Sequence, residues 1–275
     1  MKERYVEYYK EGKTAEEAVM RLVKIIELLR SEEGCPWDKA QTHESIKTCL
    51  LEEAYEVAEA IENSDMDNLE EELGDVLLQV VFHADLGKNS GSFDLCSIAN
   101  RECEKMIRRH PHVFLNNNPE TIDKTLEKWE NVKRKEQGNV THTQGMKNTP
   151  RALPALIRSY KIQKKAAQAG FDWDNVDGAF SKVQEETQEL LNVYQGSDKS
   201  KIMEEIGDLL FSIVNVARFL GINPEEALGL TANKFINRFA YIEEAAQKQG
   251  LSLEEMSLEE MDKLWDQAKQ IIKQK

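Results

Sequence analysis

Leu50-Leu51-Glu52-Glu53-Ala54-Tyr55-Glu56, followed after a short gap by Glu71-Glu72-Leu73-Gly74-Asp75, is the stretch on which the fold turns. Each piece sets two carboxylates three residues apart, Glu53 with Glu56 and Glu72 with Asp75. Residues three or four apart share one helix face. Around them Leu50, Ala54, Val57, Ala58 and Ile61, then Leu73, Val76, Leu77, Val80, Val81 and Ala84, recur at helical spacing. That is the pattern of a helix with one buried face. Asn63-Ser64-Asp65 reads as a polar turn, and a short connection favours antiparallel neighbours. The stretch is therefore read as two antiparallel helices whose carboxylate pairs converge.

The chain then repeats itself. Glu185-Glu186-x-x-Glu189 is followed by Glu204-Glu205-x-x-Asp208, at a constant offset: 185 − 52 = 133 and 208 − 75 = 133. The apolar positions superpose, with Ile206, Leu209, Leu210, Ile213, Val214 and Ala217 standing for Leu73 to Ala84. Farther out, Trp37 answers to Trp173, Lys105-x-x-x-Arg109 to Lys234-x-x-x-Arg238, and Trp129 to Trp265. A chain of 275 residues accommodates two domains, and the internal repeat supports two. Residues 1–137 and 151–275 are read as the two helical domains. Residues 138–150, which lack apolar periodicity, are read as the linker. No strand-like alternation occurs, so the predicted class is all-α: a tandem repeat with paired antiparallel metal-binding helices.

Four converging carboxylates repel one another unless cations sit between them. Oxygen-only ligands suit Mg²⁺ or Mn²⁺. The candidate ligands are Glu53, Glu56, Glu72 and Asp75 in the first repeat and Glu186, Glu189, Glu205 and Asp208 in the second. A single acidic cluster is ordinarily a solvated helix face; two paired clusters at the same spacing, duplicated, favour a metal site. Di-iron bundles use Glu-x-x-His, whereas the third positions here are Glu and Asp. Carboxylate-held ions suit phosphoryl chemistry, since they neutralise phosphate oxygens and lower the pKa of an attacking water. Lys201, Lys234 and Arg238 are placed to meet polyphosphate charge; Trp173 and Trp265 are candidates to stack on a base or close the pocket, although core packing is the commoner role of a tryptophan taken singly. There is no phosphate-binding Gly-x-x-x-x-Gly-Lys loop and no Gly-x-Ser-x-Gly elbow. Lys201 aligns with the neutral Asn68, since 201 − 133 = 68. The C-terminal repeat is therefore expected to carry most of the turnover.

Composition narrows the partners. With 36 basic and 50 acidic side chains the formal net charge is −14, which argues against a broad nucleic-acid or anionic-membrane surface. No apolar run is long enough for a membrane span, and the charged first residues lack a signal peptide's apolar core. Cys35, Cys49, Cys96 and Cys103 form no C-x-x-C pair, which gives little support to a structural zinc or a disulfide framework. The cytoplasm is the expected compartment. Met1–Lys13 is expected to be a loosely held arm, followed by a helix opened by Thr14-x-x-Glu17. A charged helix carrying Trp129 is expected over Glu120–Gln137.

Gly34-Cys35-Pro36-Trp37-Asp38, Gln41-Thr42-His43, Leu51-Glu52-Glu53-Ala54-Tyr55-Glu56, Glu72-Leu73-Gly74-Asp75 and Arg108-Arg109-His110-Pro111-His112-Val113-Phe114 together resemble the MazG family of nucleoside triphosphate pyrophosphohydrolases, in its two-repeat form. The resemblance covers nearly the whole chain. It implies Mg²⁺-dependent cleavage of NTPs and dNTPs between the α- and β-phosphates, giving a monophosphate and pyrophosphate. It also implies an all-α homodimer with a nucleotide-pool-cleaning or stress-related role. By the family pattern the metal ligands are the eight carboxylates above. Nucleotide contacts fall on Lys182, Glu185, Lys201, Glu204, Lys234, Arg238 and Trp265, with Glu185, Glu186, Glu204 and Lys201 as the catalytic set. The carboxylate constellation stands in the residues themselves; the bond cleaved comes from the resemblance. Two other classes compete: a regulatory module that binds nucleotide or metal without turnover, and a helical scaffold whose acidic faces only solvate.

Overall fold

Thr14 starts the first long helix, α1 (Ala15–Leu29): its hydroxyl accepts the Glu17 N–H at 3.2 Å, satisfying one of the orphan donors of a helix start. The computed structural model describes residues 3–115 and 141–272, together with positions 121, 125, 129, 132 and 136. The chain divides into two units, Met1–Glu130 and Asn131–Lys275. The helix expected over Glu120–Gln137 falls outside the described residues except at those five positions.

In the first unit the arm before α1 is not loose. Glu3–Tyr9 forms a 3-10 helix, and the Tyr8 carbonyl accepts from Arg21 Nε at 2.8 Å. Polar composition hides such a side-chain-to-backbone tie. After α1 the chain turns at Gly34, where a Cβ would fall 2.2 Å from the carbonyl oxygens of Leu28 and Leu29; no other residue fits that approach. A short helix α2 (Pro36–Ala40) follows, with proline in its first turn. Thr42 and Ser45 exchange backbone-to-hydroxyl bonds of 2.9 and 3.2 Å before α3 (Lys47–Glu62). Ser64, at φ 55°, makes the turn, and Asp65 caps α4 (Met66–Asn89) by accepting the Asn68 N–H at 3.1 Å. Then come α5 (Leu95–Arg109), opened by an Asp94–Ser97 capping box, and α6 (Pro111–Phe114). Ile26, Ile46, Val81 and Phe82 form the buried core, with Leu22, Leu29, Leu78 and Leu86 packed on it. Beside it Arg30 Nε donates to Asp85 Oδ2 at 2.6 Å, both side chains buried.

In the second unit α7 (His142–Lys147) packs on α8 (Ala155–Gln168). Lys165 Nζ on α8 donates to the Gly145 carbonyl at 2.6 Å and to Thr149 Oγ1 at 3.0 Å. Next are α9 (Val176–Val193), α10 (Lys199–Phe219), α11 (Pro224–Lys248), a 3-10 turn (Leu253–Glu255) and α12 (Leu258–Ile272). α3 packs along α4 in one unit and α9 along α10 in the other. The largest fully buried side chains are Val81 and Val214, at equivalent positions, since 214 − 81 = 133. No strand occurs among the described residues; the protein is all-α.

Candidate metal centre

The α9–α10 hairpin is built by its caps. Asn175 accepts the Asp177 N–H at 2.9 Å to start α9. Asp198 Oδ1 accepts the N–H groups of Ser200 and Lys201, at 3.1 and 3.2 Å, to start α10. With both helices fixed, Glu186 from α9 meets Glu205 and Asp208 from α10. One carboxylate oxygen of each lies within 4.8 Å of the other two. Glu186 is only 5% exposed. Lys182 Nζ lies 2.5 Å from Glu186 Oε1 and 2.9 Å from Glu185 Oε1, and these bonds hold the ammonium well above its ordinary pKa. Glu186 Oε2 is buried with no partner. An unmet buried acceptor costs its desolvation, more so when charged, and a cation among the three carboxylates would satisfy it. An all-oxygen set fits a hard divalent ion. Glu189 stands outside this trio, yet the charge of Glu186, then burial, then Glu205 raise its carboxyl pKa.

The first unit gathers a related but different trio: Glu53 and Glu56 from α3 with Glu72 from α4, again within 4.8 Å. Burial first, then Asp75 and Glu56, push Glu53 up. Burial first, then Glu56 and Asp75, push Glu72 up. Glu53 corresponds to Glu186 and Glu72 to Glu205. The third member differs, being Glu56 on the first helix in one unit and Asp208 on the second helix in the other. Their counterparts, Glu189 and Asp75, are the two carboxylates left just outside.

Glu186 and Asp208 also line a cleft of about 710 Å³ with Lys182, Trp173 and Phe211. Trp173 lies against the start of α9, where a Cβ on Gly178 would meet the indole at 2.5 Å. Behind it Arg218 forms a two-pronged pair with Asp172, at 2.9 and 2.6 Å. Gln163, Ser212 and Asn215 complete the inner wall. Sequence reasoning missed these three, because uncharged polar residues on an apolar face carry no periodic signal.

The remaining predicted residues lie elsewhere. Glu185, Glu204 and Lys201 are exposed on the hairpin. Lys201, Lys234, Arg238 and Trp265 are not among the residues lining the cleft. Arg238 lies 5.4 Å over the Trp265 ring, which is also 5.0 Å from Phe235. Arg109 lies 5.3 Å over Trp129 in the same way, so the cation–indole pair recurs in both units.

A family model described as the MazG nucleotide pyrophosphohydrolase domain matches residues 41–114 and 178–242. Each match contains one carboxylate hairpin. A Thermotoga maritima protein named nucleoside triphosphate pyrophosphohydrolase/pyrophosphatase MazG is 46% identical over 248 residues, spanning 90% of this chain and 94% of its own. An Escherichia coli K12 protein named nucleoside triphosphate pyrophosphohydrolase is 42% identical over 252 residues, spanning 90% and 96%. The crystal structure of a mazG-related protein from Thermotoga maritima aligns at 33% identity with 42% of this chain and 98% of its own, at a TM-score of 0.37. With the domain matched in both halves and relatives of this identity aligned over nearly its whole length, the chain belongs to the MazG nucleotide pyrophosphohydrolase family.

Proposed function

We propose that the protein is a nucleoside triphosphate diphosphatase that cleaves NTPs and dNTPs between the α- and β-phosphates, with Mg²⁺ as its ion and Mn²⁺ as a substitute. The observation that carries this reading is the half-satisfied Glu186 carboxylate, which joins Glu205 and Asp208 at a cleft large enough for a nucleoside. Glu186, Glu189, Glu205 and Asp208 hold the ion of the C-terminal unit, and Glu53, Glu56, Glu72 and Asp75 that of the N-terminal unit. The ion, when bound, screens phosphate oxygens and lowers the pKa of water. Lys182, Lys201, Lys234 and Arg238 bind the phosphate chain. Glu185 and Glu204, one residue before a ligand on each helix, complete the catalytic set with Glu186 and Lys201. Trp265 is the remaining nucleotide contact.

The α10 and α11 faces expose Met203 (73%), Ile206, Leu210, Leu228, Phe235 and Ile236. Clustered apolar exposure of this kind marks an interaction surface, and a homodimer would cover it by self-association. No described helix is long and apolar enough to cross a membrane, and all four cysteines are free. The reading includes a cytoplasmic role in clearing the nucleotide pool, and the formal net charge of −14 supports one without nucleic acid as a partner.

With Mg²⁺ and dGTP, the protein should release pyrophosphate and dGMP, and EDTA should stop it. Orthophosphate and dGDP as products would overturn the α–β assignment. Metal binding by calorimetry without any product would favour a regulatory module instead.

A further inference from the structure

We infer that Gln163 and Asn215, which both line the cleft, read the base of the nucleotide held by the C-terminal unit. This rests on the pyrophosphohydrolase reading and adds to it the residues that discriminate among bases. Gln163 and Asn215 are 6% and 8% exposed. Gln163 Nε2 donates to the Phe211 carbonyl at 2.8 Å, which leaves Oε1 buried without a partner. Asn215 Oδ1 accepts from Arg218 Nε at 2.8 Å. That bond orients the amide and commits its oxygen, so Nδ2 is the group with donors to spare. Arg218 is itself fixed by Asp172 and by stacking 4.4 Å over Phe219. The cleft thus offers a fixed acceptor and a fixed donor, and Trp173 and Phe211 line it as well.

An orphaned acceptor repels phosphate oxygens, so this end of the cleft does not take the triphosphate. Paired amide donors and acceptors are what read base edges, and aromatic walls suit a flat ring. Position agrees with chemistry. Asp208 and Asn215 lie on one face of α10, 215 − 208 = 7 residues apart, or roughly 10 Å along the axis. The phosphate end and the base end of one nucleotide can occupy them together. In the N-terminal unit the corresponding positions carry different residues. At the positions offset by 133, α4 carries Gln79, Phe82 and Asp85 in place of Ser212, Asn215 and Arg218. There Arg30 pairs with Asp85 and lies 4.8 Å over Phe82, so this face is filled by the unit's own side chains.

The test is kcat/KM over the four dNTPs with Mg²⁺ for the full-length protein, Gln163→Leu and Asn215→Asp. The second variant keeps the oxygen that Arg218 holds and replaces the Nδ2 donors by a charged acceptor oxygen. Inorganic tripolyphosphate, which has no base, is run as a competitive inhibitor. The expected result is a shift of at least about tenfold in the ratio between best and worst base, with tripolyphosphate inhibition unchanged. If Gln163→Leu does not fold, Asn215→Asp decides. Equal losses on all four nucleotides, or unmoved ratios, would overturn base reading while leaving the reaction intact. If the wild-type protein released no pyrophosphate from any nucleotide, the reaction and the inference would fall together.

Discussion

Lys182 Nζ sits 2.5 Å from Glu186 Oε1, four residues along the same helix, while the second oxygen of that carboxylate is buried without a partner. One half of the carboxylate is neutralised within the helix, and the other half has no partner of its own. The arrangement holds a buried anion in place before any ion arrives. It also keeps an ammonium beside the position where phosphate oxygens would approach.

Lys182→Met should expose that dependence. Removing one partner of a buried pair leaves an uncompensated charge, discounted here because the lysine itself is partly exposed. In EDTA the variant should melt a few degrees below the wild type, and Mg²⁺ should recover most of the difference. Thermal melts with and without the ion measure it; an unchanged melting temperature in EDTA would show that the contact contributes nothing.

Glu205→Gln and Asp208→Asn each keep side-chain shape and remove one ligand charge. Pyrophosphate release should fall by orders of magnitude, because a ligand both places the ion and, through it, the water. The metal-free fold should be as stable as the wild type or more so, since like charges are relieved. Full activity in either variant, or loss of the helical circular-dichroism signal, would remove that residue from the site.

The N-terminal trio makes a pH-dependent prediction for the metal-free protein. Glu53 and Glu72 carry raised carboxyl pKa values, first from burial and then from neighbouring carboxylates. A folded-state pKa above the unfolded one means that the folded state binds protons more tightly. That contribution is present below the raised values and is lost as pH rises from the ordinary carboxylate range through them. The melting temperature of Glu53→Gln/Glu72→Gln relative to wild type, in EDTA, should therefore climb as pH rises across that window. A difference independent of pH would mean that the two carboxyls titrate normally.

The two units should also be unequal in turnover. Lys201 aligns with Asn68 in the repeat; Arg30 and Phe82 stand where the C-terminal unit has Gln163 and Asn215, and Arg30 pairs with Asp85. Glu186→Gln/Glu189→Gln should abolish most pyrophosphate release, and Glu53→Gln/Glu56→Gln should cost far less. A charged contact to phosphate contributes about 1.5–3 kcal/mol, roughly tenfold or more in rate. A larger loss from the N-terminal pair would reverse the ordering.

The helical hairpins were legible because their information is local. Carboxylates three apart and apolar residues at i, i+3, i+4 define a face without knowledge of anything distant, and the 133-residue offset doubles that signal. Local spacing could not say which carboxylate of each four would stand aside, because that depends on how the helices roll against each other. Asp75 is left out of one trio and Glu189 out of the other. Arg30 and Asp85 are 55 residues apart, and Gln163 and Phe211 are 48 apart. No pattern of period 3.6 links such pairs, so neither the filled face nor the open cleft could be read from the chain. The tie from Arg21 to the Tyr8 carbonyl escaped for the same reason.

Each carboxylate trio is assembled from residues close in the chain: 72 − 53 = 19 in one unit and 208 − 186 = 22 in the other. Closing so short a span costs little chain entropy, and helical hairpins are the local contacts that form early in folding. A ribosome therefore releases the whole of α3 and α4 long before it has made α9. The first carboxylate trio is complete before the second is synthesised, and an ion bound there would stabilise the nascent unit by mass action.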